Sequence, residues 1–219
     1  MRGSEPLRVV LATANPGKAA ELAELAERLA PGLLTLLPRP EAVPPVPEDG
    51  DTYEANAEAK ATALAVATGL PALADDSGLE VAALRGAPGI HSARYAGPEA
   101  SDQANVAKLL AELAARGATA PKDRAARFVA VVVLRWPEGR SLLGRGEVGG
   151  TIAPTPRGQN GFGYDPVFVP AGAGGRTFAE LDASAKHRLS HRGRALARLL
   201  EQFRADPGGP GPAGAGERT

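Results

Sequence analysis

Residues 127–136 (RFVAVVVLRW) constrain this 219-residue chain more than any other stretch. The run is rich in valine and is the strongest strand signal in the sequence. Pro137-Glu138-Gly139 then reads as a turn, with a partner strand near residues 141–148, so the second half of the chain carries a hairpin. The chain opens differently. Residues 7–13 (LRVVLAT) form a short valine-rich run read as a buried strand, which Ala14-Asn15-Pro16-Gly17 breaks. Residues 18–30 follow with Leu22, Leu25 and Leu29 on one helical face. Strands and helices alternate early and a hairpin comes later. That order predicts an α/β protein with a mixed rather than purely parallel sheet.

The remaining elements follow from local signals. Residues 38–47 hold five prolines and read as an exposed loop. Residues 52–68 are alanine-rich and predict a helix that Gly69 and Pro71 end. Residues 72–74 give a short strand, broken at Asp75-Asp76-Ser77-Gly78 and resumed over 79–84. Residues 85–98 are irregular, and residues 101–116 form an amphipathic helix with Ser101 as N-cap. Residues 157–170 are glycine-rich, and residues 185–203 read as one last helix. Domain organisation follows: a single domain over 1–206, then a disordered Pro/Gly-rich tail over 207–219, too poor in apolar bulk to fold.

Composition narrows the function classes. The chain has no cysteine, which excludes disulfides, Cys-containing zinc sites and a Cys nucleophile. Lys+Arg and Asp+Glu are both 25, so without local clustering no field of one sign is available to hold a nucleic-acid backbone. No apolar run approaches the roughly 20 residues that span a bilayer, and residues 1–8 lack the apolar stretch of a signal peptide. The expectation is a soluble cytoplasmic protein acting on a small molecule.

Five stretches carry candidate chemistry. Thr13, Ala14, Asn15, Pro16, Gly17 and Lys18 lie where a strand passes into a helix, a place where backbone N–H groups and the helix dipole suit a phosphate. The Walker spacing is absent, and the stretch is also compatible with an ordinary βα turn. Asn56 and Lys60 share a helix face. Asp75 and Asp76, as neighbours in a strand, should point to opposite faces; one then faces a site and the other ties down the loop. Hard carboxylate oxygens suit Mg²⁺, and a carboxylate there can orient or deprotonate a water; an Asx-type turn is the plain alternative. Phe162 and Tyr164, an aromatic pair among glycines, are candidates to stack on a base, with Asp165 bonding its edge. Lys186 and Ser190-His191-Arg192 form a basic cluster suited to phosphate or a purine carbonyl. His187 and His191 stand four apart, but Arg188 sits where a zinc HExxH motif needs Glu.

In order along the chain these read TANPGK, T-Y-x-x-N-A-x-x-K-A, ADDSGLEV, PGIHSARYAG, GFGYDP-V-F and K-x-x-x-SHR. That series resembles the inosine/xanthosine triphosphate pyrophosphatases, the non-standard purine NTP pyrophosphatases, over about residues 9–203. The resemblance implies a long mixed central β-sheet with two flanking α/β lobes and a substrate cleft between them. It implies a homodimer that hydrolyses ITP, dITP and XTP to the monophosphate and pyrophosphate, with Mg²⁺ as cofactor. By resemblance, Asp76 is the proton acceptor and a metal ligand. The triphosphate stretch falls on Thr13, Ala14, Asn15, Pro16, Gly17 and Lys18, with Lys60 beside it and Ser77 as a further substrate contact. Phe162, Gly163, Tyr164 and Asp165 match the base-binding segment, and Lys186, His191 and Arg192 the remaining contacts. Glu48 fits best as the second metal acid, with Asp49 as rival. One departure stands out: many relatives have Glu-Asn-Ala where this chain has Ala55-Asn56-Ala57, which leaves Glu48 or Glu54 to serve the metal.

Overall fold

A computed structural model describes residues 5–206. Its sheet has six strands: β1 (Leu7–Leu11), β2 (Leu34–Leu37), β3 (Ala72–Val81), β4 (Ala125–Arg135), β5 (Ser141–Ile152) and β6 (Phe168–Pro170). Their order is β2-β1-β3-β4-β5-β6. β1 runs parallel to β2 and β3, whereas β3–β4, β4–β5 and β5–β6 are antiparallel. The helices are α1 (Pro16–Leu29), α2 (Tyr53–Thr68), α3 (Asp102–Ala115), α4 (Ala183–Leu189) and α5 (His191–Ala205). The expected mixed α/β sheet is therefore present.

β4 explains why its sequence is an unbroken apolar run. Phe128 through Leu134 are all buried, because helices cover both faces of the sheet there. Val129, Val131 and Val133 pack with Ala57, Ala61 and Leu64 of α2. Ala130, Val132 and Leu134 pack with Leu22 and Leu25 of α1 and Leu196 and Leu199 of α5. A third core lies beyond them, where Leu79, Val81, Phe128 and Ile152 meet Val106, Leu109 and Leu113 of α3. Asp75, Asp76 and Ser77 fall on β3 between the first two cores and the third, which places the acids at a cleft.

Three local expectations need correction, and one strand was not expected. β3 is one ten-residue strand, not two pieces around a turn. Asp75 pairs with Val132 and Asp76 with Val131 in a continuous ladder to β4, and Gly78 serves close approach: a Cβ there would lie 2.2 Å from the Gly89 carbonyl oxygen. The last helix is two, because Ser190 leaves the helical conformation at ψ 129° and accepts from Gly193 N as the N-cap of α5. β5 extends four residues past the expected 148, to Ile152. β2, a four-residue edge strand, had no sequence signal of its own. The tail expected over 207–219 lies outside the described residues.

Two glycines let α5 lie directly on β5. A Cβ at Gly144 would meet the Ala195 carbonyl oxygen at 2.0 Å, and one at Gly146 the His191 carbonyl oxygen at 2.2 Å. Both obstacles are backbone, so neither can step aside as a side chain would. Gly146→Ala should lower stability by about 1–3 kcal/mol, read as a reduced urea midpoint; an unchanged midpoint would refute this packing account.

Candidate active site

The strand alternation of β3 separates its two acids. Asp75 points toward α1 and α5, and Asp76 toward α2. Asp75 accepts from Arg192 Nε at 3.1 Å and Ser77 Oγ at 3.3 Å, and its carboxylate lies 3.3 Å from Lys18 Nζ. Burial pushes its pKa up, but the charges of Lys18, Arg192 and Lys60 outweigh that and hold it well below the usual range. The expectation that one acid would anchor structure is met, but the anchor ties helices to the strand rather than holding a loop.

Asp76 accepts from Lys60 Nζ at 3.0 Å and Asn56 Nδ2 at 3.2 Å. Lys60 Nζ also donates to Glu48 Oε1 at 2.8 Å. Asn56 and Lys60 are one turn apart on α2, so the helix presents an amide and an ammonium to the same carboxylate. The Asn56 amide oxygen accepts from Gly50 N at 2.8 Å, which holds the Glu48 loop against the helix. Arg94 adds bonds to Glu48 Oε2 at 3.3 Å and to the Glu48 carbonyl oxygen at 2.7 Å. Asp76 differs from its neighbour: burial raises its pKa, and the nearby Glu48 charge adds to that against the pull of Lys60 and Lys18. Asp49 is exposed. Glu54 is engaged elsewhere, accepting from Arg145 Nη1 at 2.6 Å, so of these three acids Glu48 is the one that joins Asp76 at Lys60.

The strand-to-helix turn over residues 13–18 is present, with roles divided. Asn15 Oδ1 accepts from Lys18 N at 3.0 Å and so caps α1, Thr13 Oγ1 accepts from Asn15 N at 3.2 Å, and Pro16 takes the first helical position. Ala12, Thr13, Ala14, Asn15 and Lys18 line an open pocket whose wall also holds Glu48, Lys60, Asp76 and Ser77. Gly17 stands back from that wall and carries the Phe162 ring, whose Cδ1 is 2.8 Å from where a Cβ would be.

A second open pocket adjoins the first at Ser77. Its walls include Phe162, Gly163, Tyr164, Asp165, Lys186, His191 and Arg192, and it shares Asn15, Lys18, Ser77 and Ala93 with the first. The structure thus brings the sequence-predicted site residues other than Pro16 and Gly17 to the walls of two adjoining chambers. The aromatic pair divides, however. Phe162 is partly exposed, with Lys186 Nζ 5.0 Å and Arg192 Cζ 5.8 Å from its ring centre. Tyr164 is buried in the α3 core, and its hydroxyl donates to the Ser92 carbonyl at 2.9 Å. It forms wall rather than an exposed stacking surface. Asp165 accepts from Lys186 Nζ at 2.7 Å and Phe162 N at 3.0 Å, yet burial raises its pKa. Arg192 spends three donors inside the protein, to Asp75, to Glu21 Oε2 at 2.7 Å and to Ser77 Oγ at 3.0 Å. His187 and His191 do not share a helix: His187 lies 3.3 Å from Glu24, and His191 stacks on Phe128 with ring centres 4.7 Å apart.

Glu21 is the residue that the sequence reading missed. It is buried on α1 beside Leu22, and accepts from Arg192 and from Ser190 Oγ at 2.9 Å. The available signal was an acid three residues after Lys18 on the apolar helix face, which demands a cationic partner.

Burial, and then the Arg192 charge, lowers the His191 pKa from 6.5 to about 3. Unfolding frees it to bind a proton, so its neutral burial is costless above 6.5 and disfavours the fold as pH falls toward 3. Glu21, lowered from 4.5 to about 2 by Arg192, Lys186 and His191 despite its burial, adds stability above 4.5 that is lost as pH falls. His191→Asn should flatten the loss of stability between pH 6.5 and 4.5, measured by urea unfolding against pH. The comparison with wild type isolates His191 from Asp76 and Asp165, whose raised values act in the opposite direction. An unchanged profile would mean His191 is not buried neutral.

Known proteins resemble this chain in sequence and fold. The sequence profile of the Ham1 family matches residues 9–202. A dITP/XTP pyrophosphatase of Syntrophobacter fumaroxidans is 53% identical over 195 residues, 89% of this chain and 81% of that protein. One from Thermus thermophilus is 49% identical over 201 residues, 92% of this chain and 94% of that protein. The solved structure of a HAM1 protein from Coxiella burnetii superposes with a TM-score of 0.78 at 44% identity, covering 91% of this chain and 99% of its own. With a profile match across nearly all the described residues and relatives at about half identity, the chain belongs to the Ham1 family.

Proposed function

We propose that the protein hydrolyses non-standard purine nucleoside triphosphates, ITP, dITP and XTP, to the monophosphate and pyrophosphate, and so keeps these purines out of DNA and RNA. The observation that carries the reading is the pair of adjoining chambers. One is lined by hard acids and lysines, the other by an aromatic ring with polar groups, and they meet at Asn15, Lys18 and Ser77. A nucleotide laid across that junction puts its base with Phe162, Asp165, Lys186 and His191 and its phosphates with Lys18 and Lys60. The names of the relatives at about 50% identity support the substrate class.

The donor set fits magnesium. The carboxylates of Glu48 and Asp76 converge on one cationic centre, the Lys60 ammonium, at 2.8 and 3.0 Å, in a chamber with room for phosphate and water oxygens. When bound by Glu48 and Asp76, the ion supplies neutralisation of charge on the phosphate oxygens. Asp76 orients the water that attacks the α-phosphorus and takes its proton. Lys18, Lys60 and the α1 N-terminus hold the phosphates and stabilise the departing pyrophosphate. Asn56 keeps the Asp76 carboxylate and the Glu48 loop in register.

Recognition of the base rests on donors aimed at a 6-oxo group. Lys186 and the two N–H groups that Arg192 does not spend internally are cationic donors, which suit hypoxanthine and xanthine and leave the 6-amino group of adenine without an acceptor. Polar groups left unpaired in this way discriminate by orders of magnitude. The same reading takes the enzyme to be a cytoplasmic homodimer acting on free nucleotides and not on nucleic acid. Among the described residues no helix is long and apolar enough to cross a membrane.

Pyrophosphate release from ITP, XTP, dITP, ATP and GTP, with magnesium and with excess chelator, tests the reading. We expect metal-dependent release from the first three, at least about a hundredfold faster than from ATP. Release from none of the five would remove the hydrolase assignment.

A further inference from the structure

The phosphate-side chamber has a cation that no role above uses. Arg39 lines it together with Thr13, Lys18, Lys60 and Asp76. Every other cation on that wall is committed: Lys18 lies 3.3 Å from Asp75, and Lys60 is within 3.0 Å of both Glu48 and Asp76. Arg39 forms no ion pair among the described residues; its one bond is from Nη2 to the Val43 carbonyl. The wall therefore carries a guanidinium whose remaining donors have no acceptor among the described residues, in a pocket that Val46, Leu64 and Ile90 also line.

The backbone holds it in place. β1 and β2 are parallel, with Val10 opposite Leu37, so the chain leaves both strands at the same edge of the sheet. β1 delivers Thr13–Asn15 there and β2 delivers Arg39, two residues past its end. Pro38 and Pro40 fix the backbone on either side. Val43 N donates to the Pro40 carbonyl at 3.2 Å, closing a turn that the Arg39–Val43 bond ties again. A guanidinium pre-set in this way loses little freedom on meeting an anion.

We infer that Arg39 is the subsite for the terminal, β,γ-diphosphate end of the triphosphate and for the pyrophosphate that leaves. This rests on the triphosphate reading above and extends it. Arg39 belongs only to the phosphate-side chamber, whereas Lys18 lines both and so marks the junction nearest the base. A ligand reaching from the base chamber meets Lys18 first, and its far end is the part left to Arg39. A planar fork of donors is suited to a phosphate with two or three free oxygens, as a terminal phosphate has.

The test is calorimetric titration of wild type, Arg39→Ala and Arg39→Lys with inorganic tripolyphosphate and, separately, with IMP, both in magnesium, alongside thermal unfolding. The inference expects Arg39→Ala to weaken tripolyphosphate about tenfold or more, with IMP affinity and the unfolding midpoint unchanged, and Arg39→Lys to recover part of the loss. Equal tripolyphosphate affinity in wild type and Arg39→Ala would overturn it, as would a wild type that does not bind tripolyphosphate. A loss shared equally by IMP would make Arg39 a strut for its loop and also overturn it. If the wild type turns over no ITP while Arg39→Ala still loses tripolyphosphate, the hydrolase reading falls and the anion subsite stands.

Discussion

The site hangs on a buried ion triad. Arg192 of α5 bonds Glu21 of α1 on one side and Asp75 of β3 on the other, at 2.7 and 3.1 Å, with all three nearly inaccessible to water. Desolvating three charges is expensive, and removing one partner of such a set costs about 3–5 kcal/mol because another is left buried and unpaired. The protein recovers that cost by satisfying the guanidinium from three sides, with Ser77 as the third acceptor. The consequence reaches past stability. The triad fixes where α5 begins, and therefore where His191 sits. It also fixes how α1 meets β3, and therefore where Lys18 sits. The two ends of the cleft are held to a common reference.

Strand alternation then divides the work. Asp75 and Asp76 are adjacent, but successive side chains on a strand point to opposite faces. Asp75 is surrounded by cations and locked as a carboxylate, whereas Asp76 shares its cation with Glu48 and has a raised pKa. One acid therefore serves as a fixed charge in the scaffold. The other faces the chamber where a metal and a water can reach it. Ser77, next along and on the Asp75 face, lines both chambers and joins them.

Much of this was legible in the sequence, and what was not has physical causes. β4, α1 and α3 could be read because their apolar patterns are long and regular, and α2 because it is rich in alanine and ended by Gly69 and Pro71. β3 was read as two pieces because Asp-Asp-Ser-Gly carries turn chemistry; ladder pairing to β4 and the ion pairs on both faces override it. Glu21 was missed because its partner Arg192 lies 171 residues away in sequence. The break at Ser190 was missed because Lys186 and the arginines beyond it continue a helical pattern, while the Ser190 hydroxyl is needed by Gly193 N and Glu21. Tyr164 was placed at the surface by its flanking glycines, yet the hydroxyl finds its acceptor at Ser92, on a segment that local sequence does not bring near. The site motifs, by contrast, were readable in sequence order because each keeps its residue types within one short stretch, at an element end for residues 13–18 and inside an element for Asp76 and Lys60.

The central claim is that Asp76 does chemistry while Asp75 holds the scaffold. Its most direct test is the turnover of XTP by Asp76→Asn, in protein whose unfolding midpoint matches the wild type. The account predicts a fall of about 10²-fold or more in a fully folded enzyme, since the amide cannot take a proton from water and is a weaker partner for a cation. Near wild-type turnover in folded Asp76→Asn would contradict the account and move the chemistry to another group on the chamber wall.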